Sequence, residues 1–217
     1  MEIYHVLNRG VDKRNVVNDD NDRFRFVHSL YIFNDSKPLD ENHTRTDYFK
    51  AAIERVPLVD IHAWCLMDNH YHLLVSPIDD DLKNLATFMK KLNMGYARYF
   101  NERNHRSGYL WQGKYKKILI EQDSHFLHIP YYIHLNPLDR LSKDWRSGPV
   151  SDIQCSLEYL TKYRWSSHLD YIGERNFSSV INNELLTETL GSPEKYISAV
   201  NKYLSMDMRA EQQIRLE

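Results

Sequence analysis

The order of strand-like and helical segments predicts an α+β fold of the ferredoxin-like kind, a βαββαβ unit with an antiparallel sheet and helices on one face. Two observations support this prediction. Apolar residues recur at helical spacing in two segments that are separated by strand-like segments. The turn signal Asp68-Asn69 lies between two runs of strand-forming residues and predicts a hairpin. A helical C-terminal extension is expected to follow this unit.

Each element follows from its local sequence. The first strand is predicted to end before Arg9-Gly10, where glycine permits a tight turn. In the third helix, Asp123 or Ser124 is expected to cap the first turn and Pro137 to end the helix. The predicted elements are strands at 2–8, 58–67, 70–77 and 114–122 and helices at 20–33, 82–103 and 123–136.

The chain divides into two regions by composition. Residues 1–140 are predicted to form the main domain, which carries the candidate functional residues. A polar insertion at about 34–57 interrupts it and is predicted to contain one short helix near 48–54. Residues 141–217 are predicted to form the helical extension, packed on that domain. The chain of 217 residues is long enough to bury a core without disulfides or metals as staples.

Cysteine usage and hydropathy exclude several classes of protein. There are two cysteines and no Cys-x-x-Cys pair, so neither a disulfide framework nor a thiolate zinc site is predicted. The sequence shows neither a secretory leader nor a membrane-length apolar segment, so we expect a cytoplasmic protein.

Positive charge is concentrated in one part of the chain. Residues 82–120 contain nine basic residues and one acidic residue, although the whole chain has a net charge of −2. This asymmetry predicts a surface that faces DNA phosphates, and the alternative is a solvated helix face whose counter-charges lie elsewhere in the fold. The candidate DNA contacts are Arg9, Lys83, Lys90, Lys91, Arg98, Lys114, Lys116 and Lys117, with Trp111 and the tyrosines 96, 99 and 109 as stacking faces for bases.

The segment His70-Tyr71-His72 predicts a metal site. Side chains alternate between the faces of a strand, so two histidines two residues apart point the same way and can bind one ion. The alternative is that both histidines pack or form hydrogen bonds on a half-buried strand.

A second set of candidate residues lies on the third helix. Tyr132 and Asn136 are four residues apart, so they project from one helix face, with His128 one turn earlier. A phenol and an amide oxygen brought up to two histidines suit phosphodiester cleavage by Tyr132, with metal ligands His70, His72 and Asn136. The alternative is that Tyr132 packs in the core and Asn136 caps the helix.

Six separate motifs in this chain resemble those of the REP-associated tyrosine transposases, within the single-tyrosine HUH transposases. The resemblance covers most of residues 4–173 and rests on NRG (8–10), DRF (22–24), WCLMDNHYHLLV (64–75), LWQGKYK (110–116), YIHLNP (132–137) and WSS (165–167). It implies a single-stranded DNA endonuclease and strand-transferase that cleaves beside a DNA hairpin.

The resemblance also implies residue roles and partners. Tyr132 would form a covalent 5′-phosphotyrosine and release a 3′-hydroxyl, and His70, His72 and Asn136 would bind Mg²⁺ or Mn²⁺. The implied partner is single-stranded or hairpin DNA, acted on by a monomer or a homodimer, with Tyr132 working in its own subunit or in the partner subunit.

The chain departs from the family pattern in three places. Pro130 lies inside the third helix, where it removes a hydrogen bond and is expected to kink the chain before Tyr132. Asp139 stands where the family has an arginine, which exchanges a positive charge near DNA for a negative one. The segments 34–57 and 141–159 are longer than usual, which bears on hairpin recognition and oligomeric contacts.

Three functions follow from these observations. The first is the tyrosine transposase just described. The second is a domesticated DNA-binding protein that keeps hairpin recognition but forms no adduct. The third is a metal phosphoesterase with a water nucleophile, in which Tyr132→Phe would retain activity; the absence of an H-x-H-x-D run or nearby carboxylate ligands argues against it.

Overall fold

The structure is a computed structural model, and it describes residues 1–37, 55–141, 143–146 and 149–205. The strands in these residues are β1 (Tyr4–Arg9), β2 (Val59–Leu66), β3 (His70–Pro77) and β4 (Lys116–Leu119). The helices are α1 (Asp20–Ile32), α2 (Leu82–Arg103), α3 (Asp123–Leu135), α4 (Ile153–Lys162), α5 (His168–Tyr171), α6 (Glu184–Leu190) and α7 (Pro193–Ser205). The predicted order of elements through α3 is confirmed. The short helix predicted near 48–54 lies outside the described residues.

The four strands form one antiparallel sheet in the order β2-β3-β1-β4. In the register of β1 with β3, Leu7 is opposite His72 and Arg9 is opposite His70. Residues that are opposite one another share a sheet face, so the two histidines point to the same side as Leu7 and Arg9. This pairing places the His-x-His segment on a central strand of the sheet. The segment lies at the start of β3, beside the end of β1.

Helices α1 and α2 cover the other face of the sheet. Tyr71, between the two histidines, points to that face, where its ring contacts Phe26 of α1 at a centroid distance of 5.1 Å. The Tyr71 hydroxyl donates to Asn93 Oδ1 of α2 at 2.8 Å. The predicted ferredoxin-like arrangement, with both crossover helices on one face, is therefore confirmed.

Helix α3 packs on the opposite face, against the histidines. The Tyr132 ring lies 5.6 Å from the His72 ring and 5.9 Å from the His5 ring, both edge to face. Pro130 is buried inside α3, which runs as one helix from Asp123 to Leu135. The helix continues as a 3₁₀ turn over Asn136–Arg140.

The C-terminal extension pairs with the edge of the sheet. Leu66 N–H donates to the carbonyl of Trp165 at 2.9 Å, and Ser167 N–H donates to the carbonyl of Trp64 at 3.0 Å. The Ser167 hydroxyl also lies 2.7 Å from His134 Nε2 of α3. The extension therefore contacts both β2 and α3. No described helix is both long enough and apolar enough to cross a membrane.

Gly10, predicted to serve a tight turn, is required for a different reason. Its φ angle is −61°, which any residue can adopt. A Cβ at this position would lie 2.3 Å from the carbonyl oxygen of Arg14. Glycine is therefore needed for the close approach of the Arg14 carbonyl in the loop after β1. The Gly10 N–H separately donates to the carbonyl of Asn69 in the β2-β3 turn at 2.8 Å.

We expect acid to destabilise the fold through the buried His168. Its Nδ1 lies 3.0 Å from the Tyr196 hydroxyl, and burial lowers its pKa to about 4. The unfolded chain takes up this proton near pH 6.5, so the stability contributed by neutral His168 is complete above pH 6.5 and is lost as the pH falls towards 4.

Urea unfolding of the wild type at pH 7 and pH 4.5 should show a loss from this histidine of about 2–3 kcal/mol in the free energy of unfolding. His168→Gln should reduce that pH dependence, whatever its effect on stability at pH 7. An unchanged pH dependence in the variant would contradict this origin of the acid sensitivity.

Candidate active site

Three histidines lie together on the α3 face of the sheet. The rings of His70 and His72 are 5.0 Å apart, as the two-residue spacing on a strand predicts. His5 of β1 stacks on His72 with a ring distance of 5.1 Å, and its Nε2 lies 2.9 Å from His72 Nδ1. The histidine pair predicted from the sequence is thus a triad that spans two neighbouring strands.

The sequence analysis missed His5. The signal was present, because His5, Leu7 and Arg9 alternate along β1 and share one face. In the predicted fold the first and third strands are neighbours, so a histidine on that face of the first strand would lie beside the His-x-His segment.

The contact with His5 orients the His72 ring and leaves its Nε2 as the atom that could bind a metal. When His72 Nε2 is a ligand, its proton is on Nδ1 and is donated to His5 Nε2. His72 Nε2 is buried and has no hydrogen-bond partner in the described part of the chain. Burial and the neighbouring His5 lower the pKa of His72 well below its ordinary value, so its imidazole is neutral at pH 7 and available to a cation.

His70 is oriented by its own neighbour. Its Nδ1 lies 2.6 Å from Asn69 Oδ1, so the amide of the β2-β3 turn sets the orientation of the ring. His70 is 7% exposed and His72 is fully buried. The His70 side of the pair is therefore the side nearer to solvent.

Helix α3 places Asn136 with its oxygen towards the site. The Asn136 side-chain nitrogen donates to the carbonyl of Tyr132 at 2.7 Å, which assigns Oδ1 as the atom directed away from the helix. Asn136 is fully buried and Tyr132 is 5% exposed. The side-chain nitrogen of Asn136 thus caps the end of the helix, and Oδ1 is the atom that the ligand interpretation uses, so the two interpretations concern different atoms of one side chain.

An arginine from the C-terminal extension enters this site. Arg146 Nη1 donates to the Tyr132 hydroxyl at 2.9 Å, and Nη2 donates to Asn136 Oδ1 at 2.8 Å. The same guanidinium pairs with both carboxylate oxygens of Asp139 at 2.9 Å. No sequence motif indicated Arg146, because it follows a long segment with no recognisable pattern.

Asp139 therefore does not leave an unbalanced negative charge at the site. Burial tends to raise its pKa, but the hydrogen bonds and charge of Arg146 outweigh burial, and the pKa of Asp139 is lowered. Burial likewise tends to lower the pKa of Arg146, and the hydrogen bond to Asp139 leads the contributions that raise it instead. The pair is charged at all pH values near neutrality.

The donor set can hold a divalent cation if an amide takes part. No group of three His, Cys, Asp or Glu side chains among the described residues is placed to bind a metal. His70, His72 and Asn136 supply two imidazoles and one amide oxygen, a set that suits Mn²⁺ better than Mg²⁺ because imidazole is a softer ligand than oxygen. The buried His72 Nε2 is the observation that favours a cation here.

Only part of the predicted DNA surface faces the histidines. Lys116 is opposite Leu7 in the β1-β4 register, and Arg9 is opposite His70, so these two basic residues share the face of the site. Beside α2, on the far side of β4, lies an open cleft of about 450 Å³, lined by Leu82, Lys83, Ala86, Lys114, Tyr115 and Lys117.

Several of the other residues predicted to contact DNA make contacts within the protein. Trp111 is 9% exposed, its Nε1 donates to the carbonyl of Asn93 at 2.9 Å, and its ring packs on Tyr71, so it lies in the core. Lys91 donates to the carbonyl of Lys37 at 3.0 Å and Arg98 pairs with Glu102 at 2.7 Å. Lys90 is exposed on α2. Of the tyrosines, Tyr96 is buried and Tyr109 is 88% exposed.

The match to a family model agrees with the motifs. A family model described as "Transposase IS200 like" matches residues 3–136, which is more than half of the chain. A solved structure of a REP-associated tyrosine transposase bound to a REP hairpin aligns with a TM-score of 0.46 and 14% identity, over 81% of this chain and 82% of that chain. No curated protein sequence matches significantly. The chain belongs to the IS200-like transposase family.

Proposed function

We propose that this protein is a single-stranded DNA endonuclease and strand-transferase that cleaves beside a DNA hairpin through a 5′-phosphotyrosine on Tyr132. The observation that carries the proposal is the position of Tyr132, whose ring meets both His72 and His5. Family membership supports DNA processing of the transposase kind. The REP-associated subdivision and the use of hairpin DNA rest on the sequence motifs.

A divalent metal is part of this proposal. His70, His72 and Asn136 Oδ1 would hold Mn²⁺ or Mg²⁺, with His5 orienting His72. When bound, the cation would polarise the phosphodiester and offset the charge that develops on it. The chain itself supplies the nucleophile, the orientation of the ligands and a largely buried position for the Tyr132 ring.

The cleavage step balances without a nucleotide cofactor. The Tyr132 oxygen forms a bond to phosphorus as the bond between phosphorus and the 3′-oxygen breaks. The phenol proton leaves to solvent, and the departing 3′-oxygen takes up a proton. The phosphotyrosine retains the energy of the broken diester, so attack by another 3′-hydroxyl can rejoin the strand.

Basic residues on both sides of β4 suit a DNA strand that passes around this edge of the sheet. Arg9 and Lys116 would contact phosphates near the histidines, and the cleft with Lys83, Lys114 and Lys117 would hold flanking DNA. Tyr109 offers an exposed stacking face. Trp111 and Lys91 contribute to the fold instead.

We expect the cleft lysines to bind phosphates without any sequence preference. Replacing Lys114 and Lys117 by alanine should weaken hairpin binding similarly for different sequences and reduce the slope of log K against log salt by about 1 for each lysine that neutralises a phosphate. Fluorescence anisotropy at several salt concentrations measures this slope. Lys202→Ala, an exposed lysine on α7, is the control and should leave the slope unchanged.

The test of the proposed function is incubation of the protein with a pool of labelled single-stranded hairpin DNA, with Mn²⁺ or with a chelator. A protein-DNA adduct that survives denaturation and requires the metal is the expected result. Cleavage without an adduct would indicate a water nucleophile. Hairpin binding with neither cleavage nor adduct would indicate a domesticated DNA-binding protein.

A further inference from the structure

Arg146 belongs to the extension and contacts three side chains at the candidate active site. It ends a short 3₁₀ turn, Lys143–Arg146, and its guanidinium reaches Tyr132, Asn136 and Asp139. We propose that Arg146 holds the Tyr132 oxygen in position and binds a non-bridging oxygen of the phosphodiester that Tyr132 attacks, with Asp139 orienting the guanidinium.

Arg146 lies next to the oxygen that would attack phosphorus. Arg146 Nη1 is 2.9 Å from the Tyr132 oxygen. A phosphorus atom positioned for attack lies about 3–3.5 Å from the attacking oxygen. A phosphate that approaches the phenol from the Arg146 side therefore brings a non-bridging oxygen within hydrogen-bond reach of the guanidinium. Arg146 is a neighbour of the reacting phosphate by geometry, and a guanidinium is a good donor to phosphate oxygens.

The Arg146 guanidinium is held in a fixed orientation. Asp139 accepts from Arg146 Nε and Nη2, both at 2.9 Å, which is the bidentate geometry of an arginine-carboxylate pair. Trp145 donates from Nε1 to Asp139 Oδ1 at 2.7 Å, and the Arg146 guanidinium lies 4.5 Å from the Trp145 ring centre. A cation fixed in this way needs little reorganisation when negative charge develops beside it.

Negative charge develops on the Tyr132 oxygen during rejoining, next to Arg146. During rejoining, the bond from phosphorus to the Tyr132 oxygen breaks and that oxygen leaves as a phenolate. The N–H of Arg146 that points at this oxygen stabilises the leaving group. In the forward step the same N–H orients the phenol oxygen towards phosphorus. This inference rests on the proposed function in one respect, since it takes Tyr132 as the nucleophile.

The first experiment measures the rate of adduct formation and the affinity for the same hairpin. Arg146→Ala should slow adduct formation by about a hundredfold, as loss of one fixed donor does, and change hairpin affinity by no more than a few fold. Added guanidinium ion should restore part of the rate, and Arg146→Lys should lie between the two. Arg140→Ala is the matched control, because Arg140 also pairs with an aspartate, Asp68, and lies over the Tyr163 ring.

A wild-type rate in Arg146→Ala, or a loss of rate matched by Arg140→Ala and not restored by guanidinium ion, would overturn the inference while leaving the transposase proposal intact. Circular dichroism of each variant separates misfolding from loss of the donor. If Arg146→Ala does not fold, Asp139→Asn provides the second variant, with a smaller slowing expected because the guanidinium stays but is less firmly oriented.

The second experiment does not depend on cleavage. Isothermal titration of the whole protein with inorganic phosphate, without metal, should show binding in the wild type and in Arg140→Ala and at least about tenfold weaker binding in Arg146→Ala. Equal phosphate binding in all three proteins, or none in the wild type, would contradict the inference. Phosphate binding that depends on Arg146 in a protein that forms no adduct would support the anion site and reject the proposed function.

Discussion

Tyr132→Phe should abolish the covalent adduct and leave hairpin binding intact. The substitution removes one oxygen from a side chain that is 5% exposed, and the ring can still pack against His72 and His5. Without the phenol oxygen no phosphodiester bond to the protein can form, so we expect a decrease of at least about a thousandfold in adduct. Gel electrophoresis under denaturing conditions measures the adduct, and anisotropy measures hairpin affinity.

A second tyrosine on the same helix is the matched control for this prediction. Tyr131 packs on Tyr196 with a ring distance of 5.7 Å, on the side of α3 away from His5, His70 and His72. Tyr131→Phe should form adduct at close to the wild-type rate. Substantial cleavage by Tyr132→Phe would mean that water or another side chain is the nucleophile, as in the phosphoesterase alternative.

The second large effect is expected from His72→Ala, which should remove most of the affinity for Mn²⁺. His72 is fully buried, and its Nε2 has no hydrogen-bond partner among the described residues. We expect the loss of a direct ligand to exceed about a hundredfold, the upper end of the range for residues that only orient a ligand. Electron paramagnetic resonance of free Mn²⁺ measures the binding directly and needs no DNA.

His5 provides a graded comparison for the same site. His5→Leu keeps an apolar side chain in the core but removes the Nε2 that meets His72 Nδ1 at 2.9 Å. Its effect on Mn²⁺ affinity should be about 10–100-fold, smaller than that of His72→Ala. Equal Mn²⁺ binding by the wild type and both variants would show that these histidines do not form a metal site.

The sequence predicted the fold well because its signals are local. The His-x-His spacing, the Asp68-Asn69 turn and the helical period of α2 each depend on a few neighbouring residues. Pro130 does not end α3, which runs as one helix through this position. Packing against β2 and β3 outweighs the loss of one backbone hydrogen bond.

The parts of the site that the sequence did not predict come from long-range contacts. Arg146 lies 14 residues after Tyr132 and outside every motif, and His5 meets His72 across 67 residues through strand pairing. Trp111 was expected to stack on bases, but packing with Tyr71 and a hydrogen bond to Asn93 place it in the core. An aromatic residue in a basic segment looks the same in sequence whether it faces DNA or the core.

The most direct test of the central claim is the attachment site of the DNA. After reaction with a hairpin oligonucleotide and Mn²⁺, the protein is digested and the modified peptide is sequenced by tandem mass spectrometry. The account predicts a nucleotide joined through its 5′-phosphate to Tyr132, with a free 3′-hydroxyl on the released strand. Attachment to any other residue, or a 3′-phosphate linkage, would contradict it.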